Sequence, residues 1–136
     1  MITWIQQPAA IKVGNDLVYL PHFEQSLTTP FIRKVYTAEE RAYCDRFRDS
    51  TLRYASTFAA KEAVYKAVKQ WDSSLTLSWN KIAISRERIA GKPSVCLLVD
   101  QEPPVDLSLC ITLDGDYLWA VALLSARSTT STQLNA

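Results

Sequence analysis

The chain has 136 residues, 48% of them hydrophobic and 21% charged, with a formal net charge of +1. That is the size of one ordinary domain, with enough apolar residues for a core of its own. A near-neutral balance supplies no general field toward nucleic acid or membrane, so any phosphate chemistry must come from a local cluster. Three cysteines, Cys44, Cys96 and Cys110, form no CxxC pair and read as reduced, mostly buried thiols of a cytoplasm-like compartment. The single histidine, His22, excludes a multi-histidine zinc site. No stretch approaches the ~20 apolar residues of a membrane span, and the N-terminus lacks the pattern of a signal peptide.

Residues 11–20 read as a strand stopped by Pro21, with Gly14-Asn15-Asp16 in its middle. A bulge there would aim Asp16 out of the sheet; composition alone favours a plain surface turn between two short strands. Thr37-Ala38-Glu39-Glu40 is a capping-box helix start, for a helix running to about residue 49. A stronger helix spans residues 52–69, where alanines and an apolar stripe recur at helical spacing. Beyond Trp71 the period falls to two. Residues 81–84 and 94–99 form one pair of strands, and residues 105–113 and 117–125 form another. The second pair turns around Asp114-Gly115-Asp116, read as a type I' hairpin. The expected fold is α+β, with the long helix packed on one face of an antiparallel sheet. The domain is expected over residues 1–127, followed by a polar flexible tail, rich in Ser and Thr, over residues 128–136.

The chemistry-bearing residues gather on the long helix: Lys61, Glu62, Lys66 and Lys69. Glu62 and Lys66 sit one turn apart. The plain reading is a solvated ion pair contributing at most about 0.5 kcal/mol. The functional reading is a carboxylate holding a divalent metal while lysines neutralise phosphate oxygens, with Asp16 as second ligand if the first strand lies beside the helix. Spacing leaves both readings open.

Two blocks narrow the choice. Gly14-Asn15-Asp16-Leu17-Val18 and the run of residues 53–67, with Phe58-Ala59-Ala60-Lys61-Glu62-Ala63 leading to Lys66-Ala67, resemble the signatures of the holo-acyl-carrier-protein synthase type of 4'-phosphopantetheinyl transferase. Thr37-Ala38-Glu39-Glu40, Gly91-Lys92-Pro93 and the closing hairpin at Asp114-Gly115-Asp116-Tyr117 are similar to further family segments, in the same order. The resemblance implies a single-copy transferase fold, assembled as a homotrimer with sites between subunits. It implies an Mg2+-dependent enzyme that moves the 4'-phosphopantetheine of coenzyme A onto a serine of an apo acyl carrier protein. Asp16 and Glu62 would be the metal ligands, and Glu62 and Lys66 the catalytic pair. Lys66 would contact phosphates, while Lys61, Gly91, Lys92 and Pro93 would lie near the nucleotide end. The general base stays open among Glu62, Lys66 and water. The carrier protein serves either fatty acid synthesis or a polyketide-type pathway.

Three positions depart from the family pattern. Leu113 stands where a histidine is expected, His22 where an arginine grips the carrier protein, and Thr57 where an arginine precedes the Phe-Ala pair. These departures define the alternative: a catalytically impaired relative that docks carrier proteins or other enzymes.

Overall fold

The computed structural model describes residues 1–6, 8–86 and 92–128. In chain order it contains β1 (Ile11–Tyr19), α1 (Leu20–Ser26), α2 (Thr29–Val35), α3 (Ala38–Cys44) and α4 (Ser50–Trp71). A 3-10 turn (Trp79–Lys81) follows, then β2 (Ile82–Arg86), β3 (Pro93–Leu97), β4 (Val105–Asp114) and β5 (Tyr117–Ala126). Both sheets are antiparallel: three strands in the order β1-β5-β4, and the β2-β3 hairpin. The α+β expectation therefore holds, with the sheet divided in two. Gly91 and residues 129–136, most of the expected tail, lie outside the described residues.

The core is a helix laid on small residues. Leu118, Ala120, Ala122 and Leu124 alternate along β5 with their side chains buried, and α4 meets them with Ala55, Ala59, Ala63 and Ala67. Alanine favours the helix and leaves it thin enough to approach the sheet closely. Asp49 accepts the Leu52 N–H at 3.1 Å to start α4. Thr37 and Glu40 form the expected capping box on α3, with bonds of 3.1 and 2.8 Å. α3 ends at Cys44, earlier than the sequence implies.

Two local expectations change. β1 is neither bulged nor divided by a turn: Gly14, Asn15 and Asp16 pair in unbroken register with Ala122, Val121 and Ala120. The glycine is explained by the helix crossing above it, not by a bend. In the β4–β5 hairpin Gly115 has φ +60 and Asp116 has no positive φ. A type I' turn needs positive φ at both positions, so this turn matches type II', with glycine first.

Candidate active site

At Gly14 the backbone of β1 crosses against the backbone of α4. A Cβ there would lie 2.6 Å from the Ala67 nitrogen and overlap the Ala63 carbonyl oxygen, so only glycine lets the elements cross. Two residues further, on the same face of the strand, Asp16 arrives beside the helix turn that carries Glu62 and Lys66. The Lys66 ammonium donates to Asp16 Oδ1 at 3.2 Å and to the Asn15 carbonyl at 2.9 Å. Gln70, one turn on, donates to the Val13 carbonyl at 2.8 Å. Both bonds occupy backbone acceptors of a sheet-edge strand.

The Glu62–Lys66 ion pair expected from i,i+4 spacing is absent among the described residues. Lys66 turns to Asp16 instead, and Glu62 Oε1 accepts the indole N–H of Trp79. Partial burial pushes the Asp16 carboxyl above its ordinary value; Lys66 opposes the shift and the charge of Glu62 adds to it. A second carboxylate whose charge adds to the cost of ionising Asp16 could share a divalent cation with it. Among the described residues no cluster of three or more His, Cys, Asp or Glu forms. Asp16 and Glu62 could hold a divalent cation as two oxygen ligands, its other positions falling to water and substrate as is usual for Mg2+.

Lys61 corrects the sequence reading. It was expected near the nucleotide end, but its side chain is fully buried and its ammonium is saturated: Glu40 Oε1 at 2.6 Å, the Val35 carbonyl at 2.8 Å and the Trp79 carbonyl at 2.8 Å. No donor remains for a phosphate. Burial lowers its pKa, with Glu40 pulling the other way. Glu40 is satisfied in turn, its Oε2 accepting the Ile84 N–H at 2.7 Å. The pair ties α2, α3, α4 and β2 together beneath the site.

A second set of polar groups lies half a turn round α4. Arg53 is nine residues before Glu62, which at 100° per residue places it on the opposite side of the helix. Here a cavity of about 270 Å3 is lined by Arg53, Ser56, Arg86, Pro93 and Leu113, among others. Arg86 donates to Thr57 Oγ1 at 3.0 Å and to Ser56 Oγ at 2.8 Å, and pairs with no carboxylate among the described residues. A guanidinium from β2 therefore reaches Thr57, where the resemblance expects an arginine on the helix itself. Pro93 pairs with Arg86 at the start of β3, and Lys92 beside it is exposed. His22 is exposed on α1, edge-on to Tyr19 at 4.8 Å.

Sequence reasoning missed Arg86 and Trp79. Arg86 shares a strand face with the buried Ile82 and Ile84, and a charge in phase with two core residues was a usable signal. For Trp79 no spacing signal existed.

An aspartate on β1 bonded to a lysine of the helix that crosses it, with a glutamate one helical turn before that lysine, marks a small α+β domain with its charged groups gathered at one helix–sheet crossing. Comparison with known proteins narrows that class. The family model for the 4'-phosphopantetheinyl transferase superfamily matches residues 12–122. The holo-[acyl-carrier-protein] synthase of Syntrophotalea carbinolica is 32% identical over 85% of this chain and 96% of its own length. That of Myxococcus xanthus is 33% identical, over 85% and 94%. The ACPS–CoA complex from Chronobacterium ammoniagenes superposes with TM-score 0.75 at 30% identity, covering 88% of this chain and 99% of that one. The chain belongs to the 4'-phosphopantetheinyl transferase superfamily.

Proposed function

We propose that this chain is a holo-acyl-carrier-protein synthase: it transfers the 4'-phosphopantetheine of coenzyme A to a serine of an apo acyl carrier protein. The serine oxygen bonds to the β-phosphorus, the bond from that phosphorus to the bridging oxygen breaks, and 3',5'-ADP departs with the electron pair. The serine proton passes to a base among Glu62, Lys66 and water. The observation that carries this reading is the convergence of Asp16, Glu62 and Lys66 at the glycine crossing, supported by relatives of full length that are named for the activity.

Asp16 and Glu62 would hold Mg2+, which supplies charge neutralisation at the diphosphate. The Lys66 side chain is about half exposed (48%), so its ammonium can swing from Asp16 to a phosphate oxygen and stabilise charge there. The nucleotide end would lie against Arg53, Arg86, Lys92 and Pro93. Since Arg53 and Glu62 face opposite ways from one helix, a complete site needs a neighbouring subunit. That requirement supports the homotrimer with shared sites. No helix of the described residues is long and apolar enough to cross a membrane; acyl carrier protein and coenzyme A as partners favour a cytoplasmic location.

Mass spectrometry of apo acyl carrier proteins incubated with the protein, coenzyme A and Mg2+ tests the reading. A phosphopantetheine mass gain that vanishes in Asp16→Ala and Glu62→Ala is expected. No gain on any carrier protein, with a gain in Leu113→His, would favour the impaired docking relative instead.

A further inference from the structure

Trp79 is held more tightly than a surface aromatic needs to be. Its carbonyl accepts a hydrogen bond from the fully buried Lys61 ammonium at 2.8 Å. Its ring packs on Phe58, with centroids 6.4 Å apart, and the Lys34 ammonium lies 5.6 Å from the ring centre. The indole N–H, a donor with no acceptor capacity, points at Glu62 Oε1. Consecutive residues of α4 thus grip one tryptophan: Lys61 holds its backbone and Glu62 receives its side chain. With backbone and ring fixed, the N–H is a rigid handle on a carboxylate that would otherwise choose its own rotamer.

Glu62 has a competing choice. Lys66 stands one helical turn away, at the spacing that ordinarily pairs Glu with Lys, yet no ion pair joins them. One Glu62 oxygen is taken by a neutral donor, the other carries no hydrogen bond among the described residues, and the ammonium goes to Asp16. A neutral donor orients a carboxylate without cancelling its charge. An ammonium would have done both.

We infer that Trp79 is a positioning residue: its indole N–H holds the Glu62 carboxylate away from Lys66 and presents the second oxygen to a divalent cation shared with Asp16. This rests on the metal-site reading proposed above. A partner one shell out from a metal ligand typically sets affinity by a factor of about 10–100. Trp79→Phe keeps the ring against Phe58 and removes only the N–H.

Mn2+ binding to the protein without coenzyme A, followed by electron paramagnetic resonance, separates the two readings. Wild type should bind Mn2+ and Glu62→Gln should not; a wild type that binds no Mn2+ overturns the metal site itself. Given a wild type that binds, Trp79→Phe should bind about 10-fold more weakly, with unchanged circular dichroism and melting. Its turnover should need correspondingly more Mg2+ for half the maximal rate, with kcat at saturating Mg2+ largely kept. Trp79→His, which restores a ring N–H, should regain part of the affinity. Equal Mn2+ affinity in Trp79→Phe and wild type would overturn the positioning role while leaving the metal site standing. If Trp79→Phe does not fold, the wild-type indole 15N–1H spectrum decides. The resonance displaced by Glu62→Gln should also move on titration with Mg2+, and one insensitive to both refutes the inference.

Discussion

Asp16 is an ionisable group kept where water is scarce, and its charge costs the fold something. Its ordinary pKa is 3.8, and burial raises it in the folded protein, with Glu62 adding to the shift and Lys66 opposing it. The folded state therefore holds the proton more tightly than the unfolded chain does. Ionisation of Asp16 accordingly weakens the fold as pH rises from 3.8 through the raised value. Asp16→Asn keeps an acceptor for Lys66 and removes the penalty. The variant should melt above wild type near neutral pH, and the gap should close as the pH falls below 3.8, where the Asp16 carboxyl is protonated in the folded and unfolded chain alike. Transfer to the carrier protein should be lost at every pH. A variant that melts below wild type at neutral pH would show that Asp16 supports the fold through Lys66. At this scale the sequence is only partly legible. The family resemblance singles out Asp16, Glu62 and Lys66, and in the structure Lys66 bonds to Asp16 while Glu62 lies near enough for its charge to act on that carboxyl. Lys61 defeats the same reasoning, because adjacent helical residues point 100° apart. Which of Lys61 and Glu62 is covered depends on Glu40 of α3 and on the carbonyls of Val35 and Trp79. Those partners are distant in sequence.

Between elements, the decisive contact is backbone on backbone at Gly14. Periodicity makes α4 and the strands legible, since each buries one face at a fixed period. It misses α1 and α2, each of seven residues with one buried side chain, Phe23 and Val35 respectively. Pro21 reads in the sequence as the stop of the first strand, yet it and Pro30 occupy the first turns of α1 and α2, where a missing N–H costs nothing. A central glycine in a strand is equally ambiguous: bulge, turn and close approach all select it. The structure settles on close approach, and Gly14→Ala tests it. The added methyl meets the Ala63 carbonyl and the Ala67 nitrogen. Neither is the flexible end of a side chain, so β1 must move from the helix. Urea unfolding should show a loss of about 1–3 kcal/mol. Because Asp16 rides on the same strand, Mg2+ should also be needed at higher concentration for half-maximal transfer. A change in stability without a change in Mg2+ demand would separate the crossing from the site.

On the whole molecule, the sheet has two unlike faces. Toward α4 it presents the buried β5 residues, while the other face carries Val13, Leu17, Tyr117, Trp119 and Leu123, each between 42% and 61% exposed. Leu17 and Trp119 are directly opposed in register, as are Val13 and Leu123, with Asn15 opposite Val121 between them, so this face is largely apolar with one polar residue in its midst. A monomer of this size rarely leaves such a patch uncovered. The same chain separates the Asp16 cluster from the Arg86 cavity by half a turn of α4. The proposed homotrimer would account for both facts if its subunits met through the outer sheet face and set one subunit's Arg86 side near another's Asp16. Trp119→Glu places a charge at the centre of the patch. Light scattering should report a trimer for wild type and a monomer for the variant, with its circular dichroism retained. Transfer should fall by at least 10-fold although Asp16, Glu62 and Lys66 are untouched. Subunit mixing makes the case stricter. Asp16→Asn and Arg86→Ala, each impaired alone, should recover part of the wild-type rate when unfolded and refolded together, because some mixed interfaces then pair a native Asp16 with a native Arg86. No recovery from mixed trimers would mean that each site is complete within one chain, and that the apolar face serves assembly alone.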